Sequence, residues 1–157
     1  MSARGRPVAE PLTHAPPLTA VHLFPSADQS AGRAREALRP QLQDWGLAGE
    51  LADSAELLLS ELVTNAVKAE APPGAEVTVR FELSAGRLRL EVQDASDELP
   101  VMTHPEEDAE CGRGLVLLDA LASGWGVTPD GIGKAVWAEL AVSDASALRL
   151  LSSVHRP

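Results

Sequence analysis

The sequence predicts a two-layer α/β sandwich (α+β), in which helices pack on one face of a mixed, mostly antiparallel sheet. Two observations predict this class. The segments EVTVRFEL (76–83) and RLRLEVQD (87–94) alternate apolar and polar residues around a glycine turn, which is typical of a β-hairpin covered on one face. Two earlier segments, 27–45 and 49–69, carry apolar residues at helical spacing and supply helices to cover that face.

The elements before the hairpin follow from local signals. VHLF (21–24) is a short apolar run that predicts a strand ahead of the first helix. Pro40 lies inside the first helical segment and is expected to kink or divide it, since proline lacks the N–H that continues a helix. APPG (71–74) ends the second helix, because two prolines and a glycine oppose helical continuation.

The chain after the hairpin contains a long loop, a helix and two strands. Residues 95–111 show no regular period, and a loop of this length in a compact domain is often functional. GRGLVLLDALAS (112–123) predicts a helix opened by two glycines, and WGVTPDGIGKAVWAELAV (125–142) predicts two strands around a PDG turn. The predicted order is therefore β-α-α-β-β-loop-α-β-β.

Composition divides the chain into three parts. Residues 1–19 contain four prolines and predict a flexible N-terminal tail. Residues 20–142 hold every predicted strand, so we expect a single domain there, which suits a chain of 157 residues. Residues 143–157 predict a C-terminal tail or one short helix.

Charge and composition narrow the classes of function. The net charge of −10 opposes direct nucleic-acid binding, because a phosphate backbone needs a basic surface. The acidic charge could favour a partner that is basic at its contact site, or it could serve solubility alone. Cys111 is the only cysteine, which excludes an internal disulfide. We find neither an apolar run near the length of a membrane span nor the apolar core of a secretion signal, and therefore expect a cytoplasmic protein with no membrane contact.

Glu61 and Asn65 stand one turn apart in the second helix, within the stretch SELVTNAV. A helical wheel places them with Lys68 in a polar stripe that borders the apolar face. A carboxylate and an amide oxygen at this spacing suit a hard cation and its waters. The same stripe could equally be a half-solvated helix edge on which Glu61 pairs with Lys68. The helix alone therefore does not distinguish a ligand site from a solvated edge.

Two further stretches contain candidate binding residues. In DASDELP, Asp94 could accept a hydrogen bond from an exocyclic amine, and Ser96 could support that carboxylate or a water. The same residues are also typical of an ordinary turn after a strand. Gly112 and Gly114 permit close approach of a backbone to a ligand, and the helix they open would present free amides to a phosphate. Each stretch is weak alone, because such residues are common at turns and helix starts.

Together, ELVTNAV, DASDELP, GRGL and the closing GKAVWAEL resemble the GHKL ATPase superfamily with its Bergerat fold, which includes histidine kinases and DNA gyrase. The order and spacing of these stretches agree with that superfamily over about residues 20–142. Within it, the sequence looks most like the small, stand-alone type of anti-sigma factor and serine kinase found among actinobacterial regulators. The resemblance implies ATP and Mg²⁺ as cofactors.

The resemblance also implies a role for each residue of the first two stretches. Asn65 would hold Mg²⁺ through its side-chain oxygen, and Glu61 would orient or deprotonate the attacking hydroxyl or water. Asp94 would bind the adenine amine, while Ser96 stands where many relatives have glycine. Lys68 is followed by Ala-Glu where many relatives have His-Ala, so any contact made by that histidine is missing.

The later stretches would bind the phosphates. Gly112 and Gly114 would form the hinge and cradle at the end of an ATP lid, residues 97–111, and Arg113 would lie near the phosphates or a partner. Lys134 could reach a phosphate, although a lysine at the start of a strand more often faces solvent. Relatives usually have threonine or a similar residue after this lysine, where this chain has Ala135.

The function implied is that of an ATP-binding regulator, of the anti-sigma-factor type that acts as a serine/threonine protein kinase. Its substrate would be an anti-anti-sigma protein of the STAS class, and a sigma factor is a further expected partner. An alternative is a switch module that binds ATP and a partner without transferring phosphate, as the acidic lid segment 106–110 and the altered residues after Lys68 suggest. The resemblance leaves a homodimer open.

Overall fold

The computed structural model describes residues 16–68, 72–94, 118–130 and 133–142. Within these ranges the chain forms two helices of more than one turn and five strands. In chain order they are β1 (Leu18–Pro25), α1 (Ser30–Asp44), α2 (Glu50–Lys68), β2 (Glu76–Ser84), β3 (Arg87–Asp94), β4 (Gly124–Asp130) and β5 (Gly133–Ala141). The helix and strand order predicted for these ranges is confirmed, and residues 118–121 are the described end of the predicted third helix. The predicted segment 143–157 lies outside the described residues.

The five strands form one sheet in the order β1-β2-β3-β5-β4. Each of the four neighbouring pairs is antiparallel. The described strands therefore form a fully antiparallel sheet, where a mixed, mostly antiparallel sheet was expected. β3 lies at the centre, between the hairpin partner β2 and the later strand β5. This order places the end of β3 beside the start of β5, with Asp94 opposite Lys134.

The core lies between one face of this sheet and the two helices, as a two-layer sandwich requires. Alternate residues of β2 and β3 are almost fully buried, which is the period expected of a sheet covered on one side. These residues are Val77, Val79, Phe81, Leu83, Leu88, Leu90 and Val92. α2 packs over β2, β3 and β5, and α1 packs against α2 and β1. The predicted two-layer fold is confirmed.

The first helix is continuous through Pro40 and is not divided there. Pro40 is exposed, so the helical carbonyl that loses its N–H donor can be hydrated. The helix ends in a Schellman motif, in which the N–H of Leu47 donates to the Leu42 carbonyl at 2.8 Å and the N–H of Gly46 donates to the Gln43 carbonyl at 3.0 Å. Gly46 has a φ of 76°, and Leu47 is buried beyond it, which turns the chain sharply into α2.

The first strand runs from Leu18 to Pro25, three residues earlier than the predicted start at Val21. Leu18 pairs with Leu83 of β2, so the strand uses the full length of its neighbour. Over the described residues, no helix is long and apolar enough to cross a membrane.

The β2–β3 hairpin turns through two residues, Ala85 and Gly86, with φ values of 52° and 76°. Positive φ at both central residues is the requirement of a type I′ turn, whose twist matches that of the strands. Gly86 adopts this region without penalty, whereas Ala85 brings a Cβ into it and is strained.

Ala85→Asn is expected to raise the free energy of unfolding by about 1 kcal/mol, because asparagine tolerates the left-handed region better than alanine. Urea denaturation monitored by circular dichroism measures the change. Gly86→Ala provides the opposite control and should lower stability by a similar amount. A destabilised Ala85→Asn variant would contradict the turn assignment.

On the sheet face opposite the helices, Trp137 packs closely against the backbone of β4. A Cβ built on Gly126 would lie 2.8 Å from Cζ2 of Trp137, which is closer than real Cβ contacts come. The Arg89 guanidinium lies 4.4 Å from the centroid of the same ring. Arg89 also donates to Glu139 at 3.2 Å and to Glu91 at 3.3 Å. Arg89 thus links the Trp137 ring to two carboxylates on this face of the sheet.

Gly126→Ala should lower the free energy of unfolding by about 1–3 kcal/mol, because the indole must shift and disturb its contact with Arg89. Gly124→Ala is the matched control, since its Cβ would meet Trp137 at an ordinary 3.9 Å. Thermal denaturation of both variants would measure the difference. Equal stability of the two variants would show that the ring adapts freely.

Candidate functional site

Two of the predicted site residues lie on α2, facing the border between core and solvent. Glu61 and Asn65 are both half-buried and one helical turn apart. Leu62 and Ala66, which follow them in sequence, are buried in the core. The helix thus places a carboxylate and an amide oxygen in a row at its edge, as the wheel predicts. Such oxygens are ligands of the kind that a hard divalent cation accepts.

Seven residues connect the end of α2 to the start of β2. α2 ends at Lys68 and β2 begins at Glu76, and the N–H of Ala75 donates to the Pro72 carbonyl in a turn between them. Because β2 is antiparallel to β3, the start of β2 and the end of β3 lie at the same end of the sheet. β5 also begins there. Asn65 lies in the last turn of α2, the helix that packs against β2, β3 and β5.

A buried ion pair lies at this end of the sheet, on the face that the helices cover. Asp94 is the last residue of β3, and Lys134 is its cross-strand partner near the start of β5. Lys134 Nζ donates to both carboxylate oxygens of Asp94, at 3.3 Å from Oδ1 and 3.1 Å from Oδ2. The two side chains are only 3% and 7% exposed, for Asp94 and Lys134 respectively.

The expectation that a lysine at this strand start faces solvent is wrong for Lys134. Side chains alternate along β5, and Lys134 falls on the same face as Val136 and Ala138, which point into the core. The structure joins the charged groups of Asp94 and Lys134 directly, so the two candidate binding residues lie side by side. A contact of Lys134 with a phosphate stays a prediction.

The buried pair combines a donor and an acceptor at one point of the fold. An ammonium carries three N–H donors and a carboxylate offers about four acceptor positions. The Lys134 ammonium donates one hydrogen bond to each oxygen of the Asp94 carboxylate. The Asp94 side of the pair has further interactions within the protein. Charges buried to this extent are tolerated when they are paired, since an isolated buried charge is very costly.

The remaining predicted site residues lie outside the described part of the chain. These are Ser96, Gly112, Arg113, Gly114 and the segment 97–111. The described chain resumes at Leu118, which is 1% exposed and belongs to the core. The roles of the undescribed residues stay predictions.

The described residues contain no cluster of three acidic, histidine or cysteine side chains that could hold a metal by themselves. A Mg²⁺ ion bound with a nucleotide usually takes one or two protein oxygens and fills its shell with phosphate oxygens and water. The oxygens of Glu61 and Asn65 on α2 are of the kind required. The donor–acceptor pair at Asp94 is likewise suited to a heterocyclic base.

The fold is of the kind found in nucleotide-binding domains of the histidine kinase type. Residues 24–140 match the family described as the histidine kinase-like ATPase domain, so the chain belongs to that family. The resemblance stated from the sequence is thereby confirmed, and ATP is the nucleotide that membership in this family implies.

Solved structures share the fold at low sequence identity. The RsbU and RsbW domains of a Mycobacterium tuberculosis protein match with a TM-score of 0.60 and 21% identity, over 81% of this chain and 32% of that one. The histidine kinase domain of a blue-light activated histidine kinase from Erythrobacter litoralis matches with a TM-score of 0.51 and 24% identity, over 75% of this chain and 62% of that one. This chain therefore spans less than two thirds of either structure. No curated protein sequence matches it.

Proposed function

We propose that this protein binds ATP with Mg²⁺ and transfers the γ-phosphoryl group to a serine or threonine of a partner protein. The observation that carries the proposal is the position of Glu61 and Asn65, one turn apart on a helix that packs over β3, the strand that ends in the buried Asp94. Two adjacent elements, α2 and β3, would then supply the groups that bind the metal, accept the proton and bind the base. Phosphoryl transfer requires mainly such positioning and charge neutralisation.

Each residue has a proposed role. Asp94 accepts a hydrogen bond from the adenine amine, Asn65 binds Mg²⁺ through its amide oxygen, and Glu61 orients the acceptor hydroxyl and takes its proton. The ion, when bound, would neutralise phosphate charge. Ser96 would support the carboxylate of Asp94 or a bound water.

The glycine stretch is proposed to bind the phosphates. Gly112 and Gly114 would bring backbone amides to the phosphate oxygens, because glycine allows the close approach. Arg113 would contact the phosphates or the partner. The segment 97–111 would close over the nucleotide as a lid.

The proposed substrate is a STAS-domain anti-anti-sigma protein, and a sigma factor is the proposed second partner. Support comes from an RsbW domain among the structures of similar fold. We also propose a cytoplasmic location, and a homodimer is compatible with this function. Under the proposal the protein acts without direct nucleic-acid contact, in keeping with the net charge of −10.

An alternative function is a binding switch that uses ATP without transferring phosphate. The observation that favours it is the sequence after Lys68, where Ala69 and Glu70 replace the His-Ala of many relatives. The acidic segment 106–110 in the proposed lid also opposes a triphosphate unless its side chains point away. Under this alternative, Glu61 would have no proton to accept.

Two measurements separate these functions. Calorimetry with a non-hydrolysable ATP analogue, with and without Mg²⁺, tests nucleotide binding. Incubation with labelled ATP, Mg²⁺ and candidate STAS partners tests phosphate transfer. Binding with transfer supports the kinase, binding without transfer to any cognate partner supports the switch, and absence of binding rejects both.

A further inference from the structure

The Asp94–Lys134 pair differs in its environment from two exposed ion pairs among the described residues. The pairs of Arg39 with Glu56 and of Arg87 with Glu139 leave each arginine side chain 65% exposed. The side chains of Asp94 and Lys134 are 3% and 7% exposed. Such burial removes most of the hydration of both charges, so the pair forms against a substantial desolvation penalty.

Stability alone gives no reason for charges at this position. Replacing a buried ion pair with apolar residues of similar volume is often neutral or stabilising. Alternate residues on the same face of β3 are apolar, including Leu90 and Val92, and an apolar pair would continue that pattern. A role for both charged groups in binding explains why the apolar pattern of β3 changes at its last residue, Asp94.

We propose that Lys134 is a second base-reading residue, which donates a hydrogen bond to N1 of adenine while Asp94 accepts one from the 6-amino group. The inference rests on the proposed binding of ATP. On adenine the 6-amino donor and the N1 acceptor are adjacent on one edge. An acceptor and a donor that lie 3.1–3.3 Å apart on two paired strands can meet both atoms, and the ammonium has enough N–H groups to keep its bond to Asp94.

The same arrangement discriminates against guanine. Guanine presents an acceptor at position 6 and a donor at N1, the reverse of adenine. The register between β3 and β5 sets which side of the pair carries the carboxylate and which carries the ammonium. Guanine in the same pose would therefore place its carbonyl oxygen against Asp94 and its N–H against Lys134. Lys134 thus contributes to the choice of base as well as to affinity.

The first test compares ATP with 1-deaza-ATP, in which a C–H replaces N1, by calorimetric titration of the full chain. Loss of a hydrogen bond to a charged donor should weaken binding at least about tenfold for 1-deaza-ATP. GTP should bind more weakly still. In Lys134→Met the two adenine nucleotides should bind within about twofold of each other, whereas Lys68→Met, the matched control at the other lysine, should keep the wild-type preference.

A second measurement needs no change at Lys134, whose substitution could unfold the protein. The chain contains two lysines, so ¹⁵N-lysine labelling gives two side-chain ammonium signals, and Lys68→Arg identifies them. The Lys134 signal should shift on adding ATP or adenosine and stay in place on adding tripolyphosphate. Equal binding of ATP and 1-deaza-ATP, or a Lys134 signal unmoved by saturating ATP, would overturn the role of Lys134 alone. Failure to bind ATP would overturn the proposed function together with this inference.

Discussion

Asp94→Leu is expected to lower the free energy of unfolding by about 3–5 kcal/mol, the largest stability change that we predict for a single substitution. The substitution leaves the ammonium of Lys134 at a position where its side chain is 7% exposed, without the carboxylate that accepts its hydrogen bonds. Lys134→Met should also be costly, since it removes the ammonium that donates to both oxygens of the buried Asp94 carboxylate. Urea denaturation followed by circular dichroism measures both changes.

The double variant Asp94→Leu/Lys134→Met distinguishes the net contribution of the ion pair to stability from the destabilisation caused by removing only one partner. Removing both charges leaves no buried ion, so the double variant should regain most of the stability that either single variant loses. Arg87→Met is the control for an exposed pair and should change stability by less than about 1 kcal/mol. A double variant as unstable as the sum of the single variants would show that the two charges do not depend on each other.

Much of the fold was predictable because it depends on local periodicity. The hairpin and α2 follow from periods of two and 3.6 residues, and both strands of the hairpin and the helix end within one residue of their predicted bounds. β1 was predicted too short because Leu18 and Ala20 carry little signal beside Pro16 and Pro17, and only pairing with β2 shows that the strand begins there. The close contact of Trp137 with the β4 backbone is likewise invisible until the strands are paired.

The candidate site was predictable to the extent that it depends on one element at a time. The wheel placed Glu61 and Asn65 on the edge of α2, where the structure has them. The burial of Lys134 was missed because a strand considered alone does not show its cross-strand partner. Val92 and Val136 are opposite each other on the core face, and continuing two residues towards the sheet end gives Asp94 and Lys134. A register argument from the hairpin onward could therefore have found the pair.

The largest functional effects are expected at Glu61 and Asn65, and they should differ in kind. Glu61→Gln should leave ATP binding within about twofold and slow phosphate transfer by about 10²–10⁴-fold, the range for a lost proton acceptor. Asn65→Ala should abolish the Mg²⁺-dependent part of ATP binding, because it removes the amide oxygen proposed to hold the ion. Calorimetry with and without Mg²⁺, followed by single-turnover label transfer, measures the two effects separately.

Glu56→Gln is the matched control for the glutamate substitution. Glu56 lies on the same helix and pairs with Arg39 of α1, so its replacement should change neither binding nor transfer. If Glu61→Gln lost ATP binding as completely as Asn65→Ala, the proposed division between a metal ligand and a proton acceptor would be wrong. If it changed nothing while the wild type transferred phosphate, another group would have to take the proton. Asn65 is accounted for by nucleotide binding alone, whereas the proposed role of Glu61 as a proton acceptor has a task only in a protein that transfers phosphate.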